Sequence, residues 1–328
     1  MAKYEKPWLS VDEQIDRLSS QGVTIQDRDR AASILHAVGY YRLTGYLYPY
    51  RESEHSTDEQ GHARVQVLAA YRQGTTLQHA EDIINFDRRL RMLVMDGIER
   101  FEVAVRMQVG YALGKRSPFA YEDPAVFTTS FVNQRTDVRD PGPSKHVEWL
   151  QKVNERRSRS DERFVEHFRE KYEDRMPVWA LTEILELGQL SGLYRGMNQQ
   201  DAEEIATAFG VPTKKIMSSW LASLNYVRNV AAHHSRLFNR KLQNAPSRPK
   251  VGQIPLLDHL RGSENAKGVF GTYNALAVIA YVLTSIDPEA DWTQRTSALL
   301  REFPTTHALS IESMGAPTDW ESLKLWKP

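Results

Sequence analysis

Apolar residues recur at helical spacing in segment after segment, and no alternating strand pattern survives four residues with turn signals on both sides. The pattern predicts an all-α fold. Ser10-Val-Asp-Glu13 ahead of Ile15 and Leu18 reads as a capping box opening a short helix that stops at Gly22, and a second helix is expected from near Asp27 to Gly39. Between Tyr40 and Tyr50 the chain is too dense in tyrosine and glycine for a long regular helix and reads as a packed turn. Residues 52–66 are polar and aperiodic and read as a mobile loop.

A long helix is expected from Thr75 to Leu113, with Thr75-Thr-Leu-Gln78 as its cap and Phe86, Leu90, Leu93, Gly97 and Phe101 on one side. Asp87 with Arg91, Asp96 with Arg100 and Glu102 with Arg106 are acid-to-base i,i+4 pairs, which read as surface pairs. A Pro/Gly/Asp stretch from Asp137 to Pro143 breaks the chain, and helices follow near 144–158 and 161–173, with Arg156, Arg157 and Arg159 as a solvated face. Pro177 suits the first position of a helix reaching about Met197. A short helix at about 200–209, a break at Gly210-Val-Pro212, a long helix to about Arg240, and helices near 268–286 and 290–303 complete the expectation. The division that follows is an N-terminal helical unit (1–66), a helical core (67–250) and a C-terminal helical extension (251–328).

Composition removes several kinds of chemistry. There is no cysteine, which excludes disulfides, thiolate metal sites and thiol nucleophiles. The histidines show no ligand spacing, so neither a metal nor another cofactor is expected. The N-terminus has no apolar signal core and the longest apolar run, Ala275 to Leu283, is short of the ~18 residues of a membrane helix, so a cytoplasmic protein is expected.

Lys and Arg total 42 and Asp and Glu total 42, so a nucleic-acid site must be a local patch. One segment stands out: from Ile205 to Leu257 there is no acid, while Lys214, Lys215, Arg228, Arg236, Arg240, Lys241, Arg248 and Lys250 supply positive charge. That is a polyanion-facing composition. On a helical wheel from Trp220 to Arg240, the residues Trp220, Leu224, Val227, Ala231, His234 and Phe238 form a narrow apolar stripe. His234 therefore reads as a core histidine, and His233 as one on the polar side with Asn225, Asn229 and Arg236. Arg228 and His233 fall about 140° apart on a straight helix, so closing both round one phosphate needs a kink or a second copy across a two-fold axis.

Arg228-Asn229-Val-Ala-Ala-His233 matches the R-N-x-x-x-H form of the HEPN ribonuclease motif. The segments KPWLSVDEQIDRL (6–18), VGYYRLTGYLYPY (38–50), INFDRRLRMLVMDGIERFEVAVR (84–106), PVWALTEILELGQLSGLY (177–194) and SLNYVRNVAAHHSRLFNR (223–240) resemble the Abi-like proteins of the AbiD/AbiF abortive-infection group. The resemblance implies a HEPN-type helical bundle with helical extensions, metal-independent RNA cleavage to a 2′,3′-cyclic phosphate, and a role in phage defence or as a restrained toxin. It also implies a small structured non-coding RNA as partner beside a target RNA, and a homodimer or RNA-assembled oligomer. On it, His233 is the general acid or base, Arg228 the phosphate stabiliser and Asn229 a positioning amide, placed at i,i+4 to orient the imidazole. Glu183, mid-helix among apolar residues, is a supporting candidate for a buried pair with Arg228, or else faces solvent. Arg236, Arg240, Lys241, Lys214 and Lys215 are RNA-backbone candidates. The rival is a non-catalytic RNA-binding or phage-sensing protein using the same basic face. The tyrosines at 40, 41, 46, 48 and 50 read as core rather than as base-stacking platforms.

Overall fold

The computed structural model describes residues 3, 5, 7–58, 60–135, 142–262 and 266–327. The chain divides into two compact units, Met1–Leu90 with Leu299–Ser313, and Arg91–Ala298 with Met314–Pro328. Helix predominates in both, as expected.

The first unit opens with α1 (Val11–Ser20) and α2 (Arg28–Val38). Their ends follow from the sequence. Ser10 Oγ accepts from the Glu13 amide at 3.3 Å while the Glu13 carboxylate accepts from the Ser10 amide at 2.7 Å, the reciprocal box expected there. Asp27 caps α2 through the Arg30 amide at 2.9 Å, and Gly39 ends it at φ 82°. The tyrosine-rich segment is a helix rather than the packed turn expected: α3 (Tyr40–Leu47) runs into a 3-10 turn at Tyr48–Tyr50. Leu43, Tyr46, Leu47 and Tyr50 are buried, while Tyr41 and Tyr48 stay exposed. Helical spacing of the core-facing side chains overrides the low propensity of the segment. The Tyr46 hydroxyl donates to the buried Asp87 carboxylate at 2.6 Å.

Residues 52–66, expected as a loop, lie mostly in an antiparallel hairpin of β1 (Arg51–Thr57) and β2 (Ala63–Tyr71). The Asp58 carboxylate accepts from the amides of Gln60 and His62 at 3.0 and 2.9 Å, and Gly61 takes φ 82°. Most of the ribbon is exposed on both faces, so it carries no hydrophobic alternation for a sequence pattern to show.

Helix α4 (Leu77–Gly114) follows the expected course, with its cap one residue later than expected. Thr76 Oγ1 accepts from the His79 amide and His79 Nδ1 accepts from the Thr76 amide, each at 3.3 Å, so an imidazole does the work of the usual Glu or Gln. Asp96–Arg100 and Glu102–Arg106 pair at 3.3 and 2.6 Å. Asp87, Arg91 and Glu102 are buried, not on the surface as expected.

The second unit carries α5 (Thr129–Val132), α6 (Lys145–Ser158), α7 (Arg163–Lys171), α8 (Val178–Ile184), α9 (Leu187–Gly196), α10 (Gln199–Ala208), α11 (Lys214–Ala232), α12 (Ala266–Phe270), α13 (Thr272–Ile286) and the start of α14 (Trp292–Arg301). The break expected at Asp137–Pro143 lies mostly outside the described residues. The helix expected over 177–197 is two helices. Pro177 is its N-cap, and Leu185 and Glu186 are extended between α8 and α9. Arg156 bridges this break, its Nε donating to the Ile184 carbonyl at 3.1 Å and its Nη1 lying 3.2 Å from Glu186. Arg157 pairs with Asp174 at 3.1 Å with its side chain 16% exposed, so the expected solvated arginine face does not hold for it. In the core, the Trp292 indole N–H donates to the Leu93 carbonyl at 2.9 Å directly over Gly97. Among the described residues, no helix is long and apolar enough to cross a membrane.

Candidate functional site

The motif-bearing helix α11 starts at Thr213, whose hydroxyl accepts from the Ile216 amide at 3.2 Å. Trp220, Leu224, Val227 and Ala231 are buried along one side, as the wheel predicts. Helix α9 packs closely on the adjoining side, because Gly188 leaves room for Asn225: a Cβ there would lie 3.3 Å from its Nδ2.

The end of α11 departs from expectation. The helix stops at Ala232, eight residues before Arg240. His233 is the C-cap, and His234 adopts φ 56°. The Ser235 amide donates to the Val230 carbonyl and the His234 amide to the Ala231 carbonyl, both at 3.0 Å. This is a Schellman closure with histidine at the position glycine usually takes. His234, read as a core residue, is therefore exposed, since the wheel that placed it in the apolar stripe no longer applies beyond Ala232. His233 is exposed as well, and neither of its ring nitrogens bonds another described residue.

Beyond the closure the chain is irregular but anchored. Leu237 and Phe238 turn into the core, the Thr272 hydroxyl donates to the Leu237 carbonyl at 2.6 Å, and the Trp220 indole donates to the Ser247 carbonyl at 2.8 Å. That folding back returns Arg240 to α11, where its Nη1 donates to the Tyr226 hydroxyl at 3.3 Å and its Nε to the Arg236 carbonyl at 3.0 Å. Tyr226, which the sequence did not single out, thus holds Arg240 beside the motif. Only its position two residues before Arg228 could have flagged it.

Arg228 is half-buried, and its Nη1 donates to the Asn229 amide oxygen at 3.3 Å. The Asn229 side chain therefore orients the guanidinium rather than the imidazole; its tie to His233 is the backbone hydrogen bond from the His233 amide to the Asn229 carbonyl at 3.0 Å. Neither Arg228 nor Arg240 has a carboxylate within ion-pair distance among the described residues. Helix α11 is continuous to Ala232, and ideal helix geometry puts Arg228 and His233 about 7.5 Å apart along the axis and about 140° around it.

The rest of the acid-free segment splits. Lys214 and Lys215 sit at the opposite end of α11, about 20 Å from Arg228 at 1.5 Å per residue. Lys214 donates to the Met197 carbonyl, and burial pushes its ammonium down from the usual lysine range. Arg248 donates to the Leu260 carbonyl at 2.7 Å. Lys241 is exposed and lies over the Phe270 ring at 5.2 Å. Glu183 is exposed and has no ion pair with Arg228, so the buried pair gives way to the solvent-facing alternative: on α8 the buried positions are its neighbours Leu181, Thr182 and Ile184. No group of three His, Asp or Glu among the described residues could hold a metal ion.

The model of one protein family, described as Abi-like protein, matches residues 33–239, well over half of the chain. The chain belongs to the Abi-like family. The match runs from within α2 through the motif to Asn239, and leaves α1, Arg240 and the C-terminal region outside. No curated protein matches this Abi-like chain, and no solved structure does.

Proposed function

We propose that this Abi-like protein is a metal-independent endoribonuclease of the HEPN type acting in abortive phage defence. The observation that carries the reading is the presence, at one helix end, of an imidazole whose nitrogens bond no other described residue and an amide-oriented arginine with no carboxylate partner among the described residues. The chemistry is attack of a ribose 2′-hydroxyl on the neighbouring phosphorus, which expels the 5′-oxygen of the next nucleotide and leaves a 2′,3′-cyclic phosphate. His233 takes the proton from the 2′-hydroxyl or gives one to the departing oxygen, a contribution of about 10²- to 10⁴-fold. Arg228 stays charged and can fork two hydrogen bonds to the phosphoryl oxygens as negative charge builds on them. Asn229 positions that fork.

Because the two groups diverge on a straight helix, the complete site uses Arg228 of one copy and His233 of another. Arg240 and Lys241 hold the RNA backbone near the motif, with Arg236 beside them. Lys214 and Lys215, at the far end of α11, serve a different stretch of RNA, in which a small structured partner RNA restrains the enzyme. The same divergence favours a second reading for a chain acting singly, in which the face holds RNA without cutting it.

The test is His233→Ala against wild type on single-stranded RNA in EDTA. The nuclease reading expects cleavage to disappear with RNA affinity nearly intact. Loss of both together supports the binding reading.

A further inference from the structure

At the root of the β1–β2 hairpin, in the first unit, three neighbouring residues each bury a polar atom with no hydrogen-bond partner among the described residues: the Tyr71 hydroxyl, Arg51 Nε and Gln21 Oε1. Arg51 and Tyr71 face each other across the ladder, and the Tyr71 amide donates to the carbonyl of Gln21, the C-cap of α1, at 2.8 Å. The approach is close, since a Cβ at Gly22 would lie 3.1 Å from the Tyr71 carbonyl oxygen. Tyr71 is 4% exposed, so bulk water does not reach its hydroxyl. A buried donor left unmet costs about 1–3 kcal/mol, and three unmet groups in one spot point to something that binds there.

The surrounding charge says what. The Arg51 guanidinium lies over the Tyr71 ring at 5.4 Å and the Tyr48 ring at 6.0 Å, and neither Arg51 nor Arg17 has a carboxylate within ion-pair distance among the described residues. Tyr40 of α3 sits with them: burial raises its hydroxyl above the usual tyrosine range, and the charges of Arg17 and Arg51 work against that. Arg17, Tyr40 and Arg51 are partly exposed, so the site opens to solvent on their side. We propose that the hairpin root binds a phosphate monoester, held by the guanidiniums of Arg17 and Arg51 and the hydroxyls of Tyr40 and Tyr71. Two fixed cations and two hydroxyl donors match three oxygens carrying a double charge, where a carboxylate offers two oxygens and one charge. Gln21 Oε1, the lone pure acceptor, takes a hydroxyl of the group that carries the phosphate. Tyr48, 51% exposed beside Arg51, offers its ring face to a ring on the ligand, which makes a mononucleotide the probe of choice.

Binding here involves the first unit alone and does not rest on the ribonuclease reading, because the test reads binding and not cleavage. Calorimetric titration of the full chain, stripped of nucleic acid, with AMP should show one saturable site per chain. Inorganic phosphate should compete for it and adenosine should not. Tyr71→Phe removes only the unmet hydroxyl, so it should weaken AMP binding by about 10-fold and at the same time raise the denaturation midpoint of the ligand-free chain. Arg17→Met and Arg51→Met should each weaken binding by about 10-fold or more, whereas Arg64→Met, farther along the same hairpin and paired with Asp58, should not. A 5′-phosphorylated trinucleotide titrated beside AMP assigns the source: tighter binding than AMP marks a strand end, weaker binding a free nucleotide, and both uphold the site. The proposal is overturned if AMP, the trinucleotide and phosphate all fail to bind, or if adenosine binds as well as AMP. AMP binding that survives Tyr71→Phe, Arg17→Met and Arg51→Met unchanged overturns it too.

Discussion

His233 and His234 are adjacent in sequence and nearly opposite in what they can do. His233 closes α11 at φ −84° and ψ 14°, while His234 bears the left-handed conformation that lets Ser235 reach back to Val230. A non-glycine residue there carries a penalty of roughly 1 kcal/mol. His234→Gly should therefore raise the unfolding free energy by about 1 kcal/mol in denaturant titrations and leave RNA cleavage in place. His233→Ala should leave stability within about 0.5 kcal/mol, as for an exposed side chain without partners, and lower the cleavage rate by at least about 10²-fold. Arg228→Ala should cost about 10²- to 10³-fold in single-turnover cleavage, as the loss of a charge aimed at the phosphorane does. The candidate pair was legible because its spacing and residue types are chemical. The fate of His234 was not, because a helix end without glycine or proline is decided by where Leu237 and Phe238 pack, which no local pattern records. The one available hint was that histidine tolerates positive φ better than most residues.

At the scale of elements, α1 and α2 came out to the residue at their capping side chains, and α4 with its cap one residue later. Helices decided by packing did not. The tyrosine-rich α3 forms because Leu43, Tyr46 and Leu47 share a buried face, and α8 and α9 separate where Arg156 satisfies the Ile184 carbonyl left open by the break. The β1–β2 hairpin was invisible for the opposite reason, since almost nothing in it is buried. Gly97 shows how tightly one packing contact constrains a helix. A Cβ at this position would lie 2.6 Å from Trp292 Nε1 and 2.7 Å from Ile279 Cγ2. Gly-to-Ala inside a helix ordinarily gains up to about 1 kcal/mol, yet here overpacking of about 1–3 kcal/mol should outweigh it. Gly97→Ala is expected to lower the denaturation midpoint. A raised midpoint would mean that Trp292 does not sit on this helix.

Over the whole molecule, half-buried histidines couple stability to pH. His259 lies 3.2 Å from the Tyr273 hydroxyl, which in turn accepts from the Trp326 indole at 2.8 Å, and burial pushes its imidazole below the ordinary histidine range. His79 is lowered too, by burial and then by His307. In each case the unfolded chain takes up a proton as pH falls through about 6.5 while the folded chain resists it, so stability should decline from pH 7 towards pH 5 and level off below the folded pKa. His259→Asn should make that decline shallower in pH-dependent denaturation curves; an unchanged slope would place the linkage elsewhere.

Charge at this scale also differs from what composition suggested. The acid-free segment is one stretch of sequence but two places in space, with Lys214 drawn to a backbone carbonyl at one end of α11 and Arg228 and Arg240 at the other. The central claim concerns the second place. Its most direct measurement is cleavage of a single-stranded RNA by RNA-free protein in EDTA, with the new 3′ ends identified chemically, for wild type, His233→Ala and His234→Gly together. The account predicts 2′,3′-cyclic phosphate ends from wild type and His234→Gly and intact RNA with His233→Ala. Cleavage that survives His233→Ala, or that appears only when a divalent metal is supplied, would contradict it.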